Sequence, residues 1–214
     1  VTEEQVSLDD LVSEPTAVPD DAIEGLRQRQ VAFGYTHDEL DNLIEPMAEE
    51  GKDPVGSMGD DTPLTVLSDF NRPLSSYFKQ LFAQVSNPPV DNIREELVFS
   101  LETRLGNQRN LLDESPEHAN QLVLDSPILR NEELASVAGA ENGLATTTID
   151  ITFDAEVGLE TAVERVREEA AAAATDKDVI VLSDRNLGEN RLAVPSLLAT
   201  GAVHHHLVRN GLRN

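Results

Sequence analysis

The last third of the chain alternates between two periodicities, and that alternation leaves few folds open. Thr147 to Phe153 is rich in β-branched residues, as half-buried strands are. Leu159 to Ala174 then places Leu159, Val163, Val166 and Ala170 on one face of a helix. Val179 to Leu182 is a short, wholly apolar run of strand length, and Pro195 to Asn210 is a second helical segment closed by Gly211. Strand, helix, strand, helix is the order of a parallel sheet, because a parallel partner can be reached only by a crossover. The expected class is α/β, parallel strands with flanking helices. A helix at the end of such a unit ordinarily feeds another strand, so the segment is expected to be cut before its next strand.

The first two thirds of the chain are less regular. Asp20 or Asp21 can cap a helix carrying Ile23, Leu26, Gln30 and Phe33 on one side and stopped by Gly34. Thr36 and Glu39 have the spacing of a capping box, and Leu40, Leu43, Ile44 and Met47 continue as a helical stripe that Pro46 must kink or end. Leu64 to Leu67 reads as a strand and Leu74 to Ala83 as an amphipathic helix. Leu97, Phe99 and Leu101 alternate, so a strand is expected over Glu96 to Arg104. Short helices are expected after Ser115-Pro116 and over Asn131 to Val137, with a small-residue loop from Ala138 to Ala145.

Charge narrows the function. Forty acids stand against sixteen bases, a net charge of −24, with lysine only at positions 52, 79 and 177. Nucleic-acid binding, which needs a basic surface, is excluded. So large an excess repels itself at low salt, which reads as adaptation to a salty cytoplasm. No apolar run approaches membrane-span length and no signal-peptide pattern opens the chain, so a cytoplasmic protein without membrane contact is expected. Cysteine is absent, which removes disulfides, thiolate metal ligands and a cysteine nucleophile from these residues. Residues 1–18 combine Glu3, Glu4, Asp9, Asp10 and Glu14 with Pro15, the composition of an acidic linker-like lead. Because the first residue is not methionine, the chain is expected to derive from something longer.

The least ordinary stretch lies between Gly56 and Asp91. It opens on Gly56-Ser57-Met58-Gly59 and closes on Asn87-Pro88-Pro89, glycines that admit close backbone approach and prolines that fix an extended path. GSMGDDTPL and YFKQLFAQVSNPP in this stretch, RQRQVAFGYTHDEL at Arg27 to Leu40 and REELVFSLETRLG at Arg94 to Gly106 continue in order. So do NLLDESPEHA at Asn110 to Ala119, VIVLSDR at Val179 to Arg185 and GAVHHHLVRNGLR at Gly201 to Arg213. Together they resemble the central domain of the glutamate synthase large subunit, from about Asp20 onward. On that resemblance, residues 19–214 are part of an α/β central domain related to an incomplete (β/α) barrel.

Glutamate synthases convert glutamine, 2-oxoglutarate and reductant into two glutamates. The resemblance implies a segment of such an oxidoreductase that is inactive alone. It implies a scaffold between an amidotransferase domain and an FMN domain of the same polypeptide. FMN and an iron–sulfur cluster are expected outside this chain, with a small NAD(P)H-oxidising subunit or ferredoxin as electron source. It further implies that Met58 and Ser86 wall an ammonia tunnel. Ser86 stands where the family has threonine, a methyl smaller. A thioether, flexible and weakly polar, suits a gate for unprotonated ammonia.

Two other readings remain open from the residues alone. One is a free-standing acidic α/β interaction module without catalysis. The other is a metal-dependent hydrolase built from His204, His205 and His206 with the strand-end residues Asp69, Asp154, Asp184 and Arg185. Consecutive helical positions point about 100° apart, so three adjacent histidines cannot converge on one ion, and no metal site or catalytic residue is expected. His37, in the first turn of its helix, is expected to be solvated.

Overall fold

A computed structural model describes residues 6–7, 25–51, 66–69, 72–78, 88–110, 112–139 and 144–213. The chain divides into two compact units, Ile23–Pro89 and a larger one formed by Val1–Ala22 with Val90–Asn214.

In the larger unit, the expected parallel pair is present. Strand β4 (Thr146–Asp150) lies parallel to β6 (Val179–Ser183), with Thr146 beside Val179 and Asp150 beside Ser183. The crossover is helix α6 (Leu159–Ala173), and α7 (Ser196–Arg209) follows. The sequence of α6 is dominated by Ala, Glu and Arg, residues that lose little freedom in a helix. Glu164 pairs with Arg167 and Arg165 with Glu169 on its outer side. Its inner side is Ala162, Val166 and Ala170, all essentially buried. That face is turned from the expected one: Leu159 is exposed and Val163 half-buried. Small residues inside let α6 approach the sheet and α7 closely. Ala199, Val203 and Leu207 of α7 complete the core with Ile149, Ile151, Phe153 and Val194.

The run Thr147 to Phe153 is not one strand. It breaks at Ile151, and its second part, β5 (Thr152–Asp154), pairs antiparallel with β7 (Arg191–Ala193). Ile151 belongs to both systems: its amide donates to the Ser183 carbonyl at 2.9 Å, and its carbonyl accepts from the Val194 amide at 3.0 Å. A third small sheet holds β2 (Thr103–Leu105) antiparallel and β1 (Val6–Ser7) parallel to β3 (Leu122–Leu124). Val6 and Ser7 come from the stretch expected as a linker-like lead. Leu122, Leu124, Val137 and Leu144 form the core beneath β3 and helix α5 (Asn131–Gly139). Gly106 closes β2 at φ 130°, and a Cβ there would meet the Asn120 carbonyl at 3.0 Å.

The strand expected over Glu96 to Arg104 is overturned in its first half. Asp91 Oδ1 accepts from the Ile93 and Arg94 amides at 3.1 and 3.0 Å and starts a one-turn helix, α4 (Glu95–Val98). Leu97, Phe99 and Leu101 are exposed, so their alternation has no core face to serve. The helix expected after Ser115 is a 3₁₀ turn, Pro116–Ala119, and the Asn131 helix extends two residues past Val137.

In the smaller unit, α1 (Leu26–Ala32) starts after Gly25 rather than at an aspartate cap, and Asp20 and Asp21 lie outside the described residues. Gly34 ends it at φ 81°, where a Cβ would sit 2.7 Å from Pro73 Cγ. The capping box forms as expected: the Thr36 amide donates to Glu39 Oε2 at 2.9 Å and the Glu39 amide to Thr36 Oγ1 at 3.4 Å. Helix α2 (His37–Glu39) widens into a π-helical turn, Leu40–Ile44, before α3 (Glu45–Glu50). Pro46 therefore does not end the helix. The Glu45 amide bonds the Leu40 carbonyl five residues back, and this wider turn precedes the proline, which lacks an amide of its own.

Of the strand expected over Leu64 to Leu67, only Val66 and Leu67 are described, and they form an exposed turn. Of the helix expected over Leu74 to Ala83, the described part is a 3₁₀ turn, Leu74–Tyr77, followed by Phe78 in extended conformation; residues 79–83 lie outside the described residues. None of the helical segments α1, α2 and α3 buries a residue.

Candidate functional site

In α/β folds the carboxyl ends of parallel strands gather polar groups, and here the gathering residue is Asp150, the last of β4. Its backbone turns at Ile151 to change partner, which leaves the carboxylate over the end of β6. Asp150 Oδ1 accepts from the Thr152 amide at 2.8 Å and from Thr152 Oγ1 at 2.6 Å. Asp150 Oδ2 accepts from Asn186 Nδ2 at 2.9 Å and from Arg191 Nη2 at 2.8 Å. Thr152 Oγ1 in turn accepts from Arg191 Nε at 2.7 Å. Arg165 of α6 reaches over the break and donates to the carbonyls of Asp150 at 3.0 Å and Thr152 at 2.9 Å.

Burial opposes ionisation of Asp150. The Thr152 hydroxyl, Asn186, the Thr152 amide and Arg191 together outweigh it and hold the carboxyl below its ordinary range. With all four acceptor positions taken, this carboxylate is a fastener between β4, β5 and β7. It has no spare lone pair with which to abstract a proton or bind an ion.

The residues singled out from the sequence are placed elsewhere. Met58 and Ser86 lie outside the described residues. Asp69 belongs to the smaller unit and follows a turn, not a strand. Asp154 is exposed at the end of β5. Asp184 follows β6, its carbonyl accepting from the Leu187 amide at 3.0 Å. Arg185 donates to Asn131 Oδ1 at 2.7 Å, tying the strand end to α5. Among the described residues no three His, Asp or Glu side chains share the geometry of a metal site. His37 is exposed.

The three adjacent histidines of α7 diverge as helical spacing requires. His206 Nδ1 accepts from Arg167 Nη2 at 3.0 Å, linking α7 to α6. His204 and His205 are exposed, their rings edge-to-face at 5.1 Å. His204 also borders a cleft of about 300 Å³ with an apolar floor of Ile180, Leu182, Val203 and Leu207.

Sequence reasoning passed over Asp150, Thr152, Arg165 and Arg191. The one available signal was Asp150 and Thr152 in an otherwise β-branched run. The partner arginine lies 41 residues on.

No reaction is legible in this geometry, and the identity rests on comparison. A family model described as "Glutamate synthase central domain" matches residues 28–214. The chain belongs to this family. The central domain is 44% identical over 192 residues to the glutamate synthase [NADPH] large chain of Azospirillum brasilense, covering 88% of the chain and 13% of that relative. It is 44% identical over 191 residues to ferredoxin-dependent glutamate synthase 2 of a Synechocystis strain, covering 87% of the chain and 12% of the relative. It is 40% identical over 203 residues to the glutamate synthase [NADPH] large chain of Bacillus subtilis, covering 94% and 13%. The central domain thus spans about an eighth of the length of these relatives. The expectation drawn from the sequence motifs is met at the level of family and domain. No helix among the described residues is long and apolar enough to cross a membrane.

Proposed function

We propose that this central domain serves a glutamate synthase as the scaffold between its amidotransferase and FMN domains, and as part of the wall of its ammonia tunnel. The observation that carries the reading is the family match over residues 28–214, at 12–13% of the relatives' length. The parent reaction is then the conversion of glutamine, 2-oxoglutarate and reductant into two glutamates. FMN and the iron–sulfur cluster belong to other parts of the polypeptide, since this chain has no cysteine to ligate a cluster. Electrons come from a small NAD(P)H-oxidising subunit or from ferredoxin. The incomplete (β/α)-barrel relationship, the salt adaptation and the cytoplasmic location belong to the same reading.

Exposed apolar residues support the scaffold role. Ile93, Leu97, Val98, Phe99 and Leu101 are 54–87% exposed within nine residues. So dense an apolar ribbon ordinarily marks an interaction surface. A neighbouring domain of the same polypeptide is the occupant this reading assigns.

Met58 and Ser86 are the tunnel residues. In the full-length enzyme, Met58→Trp tests the assignment. If Met58 only fills an interface, overpacking costs about 1–3 kcal/mol and lowers every activity alike. If it lines the path, glutamine hydrolysis falls less than glutamine-dependent glutamate formation, and ammonia released per glutamate rises. An unchanged ratio with both rates reduced together defeats the gating role and leaves Ser86 as the remaining tunnel candidate.

A further inference from the structure

Helix α7 runs out through Val208, Arg209 and Asn210, and Gly211 and Leu212 close its last turn. Gly211 takes a positive φ of 66°. The Gly211 amide donates to the Val208 carbonyl at 3.1 Å, and the Leu212 amide to the Leu207 carbonyl at 2.9 Å. These are the two bonds by which a left-handed glycine satisfies the orphan carbonyls of a helix end. Leu212 completes the cap by packing on the core that contains Leu207. Asn210 is exposed, and its Nδ2 donates to the His206 carbonyl at 2.8 Å.

Asparagine followed by glycine carries a chemistry of its own. The next residue's amide nitrogen can attack the side-chain carbon Cγ and close a five-membered ring, and glycine has no Cβ to obstruct the approach. Asn210 is the one asparagine among the described residues that precedes a glycine. The closed cap opposes the reaction in two ways. Asn210 has ψ 2°, so the Gly211 nitrogen eclipses the Asn210 nitrogen instead of lying beneath Cβ, where ring closure needs it. The proton that must leave that nitrogen before it attacks is also held, by the Val208 carbonyl.

We infer that Asn210–Gly211 is a modification site, deamidated from the open form of the α7 cap. When the cap opens, solvent base takes the Gly211 N–H proton and the nitrogen bonds to Asn210 Cγ. The Cγ–Nδ2 bond breaks, and ammonia leaves with a proton from water. A second water opens the ring at either carbonyl and gives aspartate or isoaspartate, with no change of oxidation state. The ring has no N–H at Gly211, so the bond to Val208 is lost. Isoaspartate regains the N–H but carries an extra methylene in the main chain, out of register with the Val208 and Leu207 carbonyls. Both products place a carboxylate at the negative end of the helix dipole, which opposes reclosure. Leu212 and Arg213 border the cleft floored by Ile180 and Leu182, so the modified end loosens one wall of it.

The test follows aspartate and isoaspartate at Asn210 by peptide mass spectrometry. The full-length enzyme is incubated in mildly alkaline buffer beside a synthetic peptide of residues 203–213. The native enzyme is expected to react about tenfold or more slowly than the peptide, because only the open fraction of a helix end reacts. In urea it should match the peptide. Leu212→Gly removes the apolar contact that holds the cap and should raise the native rate toward that of the peptide carrying the same change. A native rate equal to the peptide's overturns the inference, since the cap then restrains nothing. A native rate that Leu212→Gly leaves unchanged also overturns it, since the reaction then does not wait on the cap. If that variant fails to fold, the parent decides: the ratio of native to peptide rates should equal the open fraction read from hydrogen exchange of the Gly211 and Leu212 amides. A mismatch of about tenfold or more overturns the inference.

Discussion

Thr152→Val separates the fastener at the strand break from ordinary core packing, because the two views predict opposite signs. Thr152 is 1% exposed. Valine matches its shape, so the exchange leaves little cavity and removes only the hydroxyl. As a core filler, the new methyl would add about 0.8 kcal/mol of stability. In the network, the hydroxyl donates to Asp150 at 2.6 Å and accepts from Arg191 at 2.7 Å. Hydrogen bonds to charged groups contribute about 1.5–3 kcal/mol each. The Asp150 and Arg191 side chains are 32% and 43% exposed, so water replaces part of what is lost. Taking about half of the lower value for two bonds leaves about 1.5 kcal/mol, and subtracting the methyl leaves a net loss of about 0.7 kcal/mol.

For a chain of this size that lowers the thermal midpoint by about 1.5–3 °C. In an Asp150→Asn background the same exchange should cost less, since one charged partner is already gone. The pH dependence carries the same information. The folded carboxyl of Asp150 lies below its ordinary value near 4, so its stabilisation is present above that value and lost as pH falls through the folded one. Thr152→Val narrows that acid loss. Thermal melts at pH 7 and below pH 4, on the parent, both single variants and the double, give all four comparisons. A midpoint for Thr152→Val equal to or above the parent at pH 7 refutes the network argument.

Gly106→Ala should destabilise the chain by about 1–3 kcal/mol, read by urea unfolding, because the new Cβ meets the Asn120 carbonyl at 3.0 Å on a backbone of φ 130°. An unchanged midpoint would mean the turn relaxes freely. Thermal midpoints should rise with salt, as the Debye length falls from about 30 Å at 0.01 M to about 3 Å at 1 M and screens the net charge of −24. A flat or falling series counts against salt adaptation. The purified chain alone should lack glutaminase and glutamate-forming activity and carry no flavin; a yellow preparation contradicts the division of labour proposed above.

The parts legible in the sequence are those set by local spacing. Helices α6 and α7, the parallel pairing of β4 with β6 and the Thr36–Glu39 box all follow from repeats of three to four residues or from the crossover rule. What stayed hidden depends on distant partners. Thr147 to Phe153 reads as one strand because its residues suit extended backbone throughout, and only β7, some forty residues on, decides that it breaks at Ile151. Leu97, Phe99 and Leu101 alternate without a core to face, and Asp91 turns the chain into a helix instead. The Asp150 fastener is equally non-local, since Arg165 and Arg191 come from elements placed by the fold. Met58 and Ser86, proposed above as tunnel residues, are singled out only through the family's motifs.

The widened turn at Leu40–Ile44 bears on how this segment tolerates changes of length. A π turn amounts to one residue inserted into an α-helix, and such an insertion is ordinarily reversible by deletion. Here the following residue but one is Pro46, whose ring would strike the carbonyl four positions back in a regular α-helix. Deleting any one of residues 40–44 would restore the tighter ladder, bring that carbonyl under the ring and rotate everything after it by about 100°. Shortening at this point therefore requires loss of the proline first. In lineages that lose a residue here, the surviving sequences should carry another amino acid at the position of Pro46.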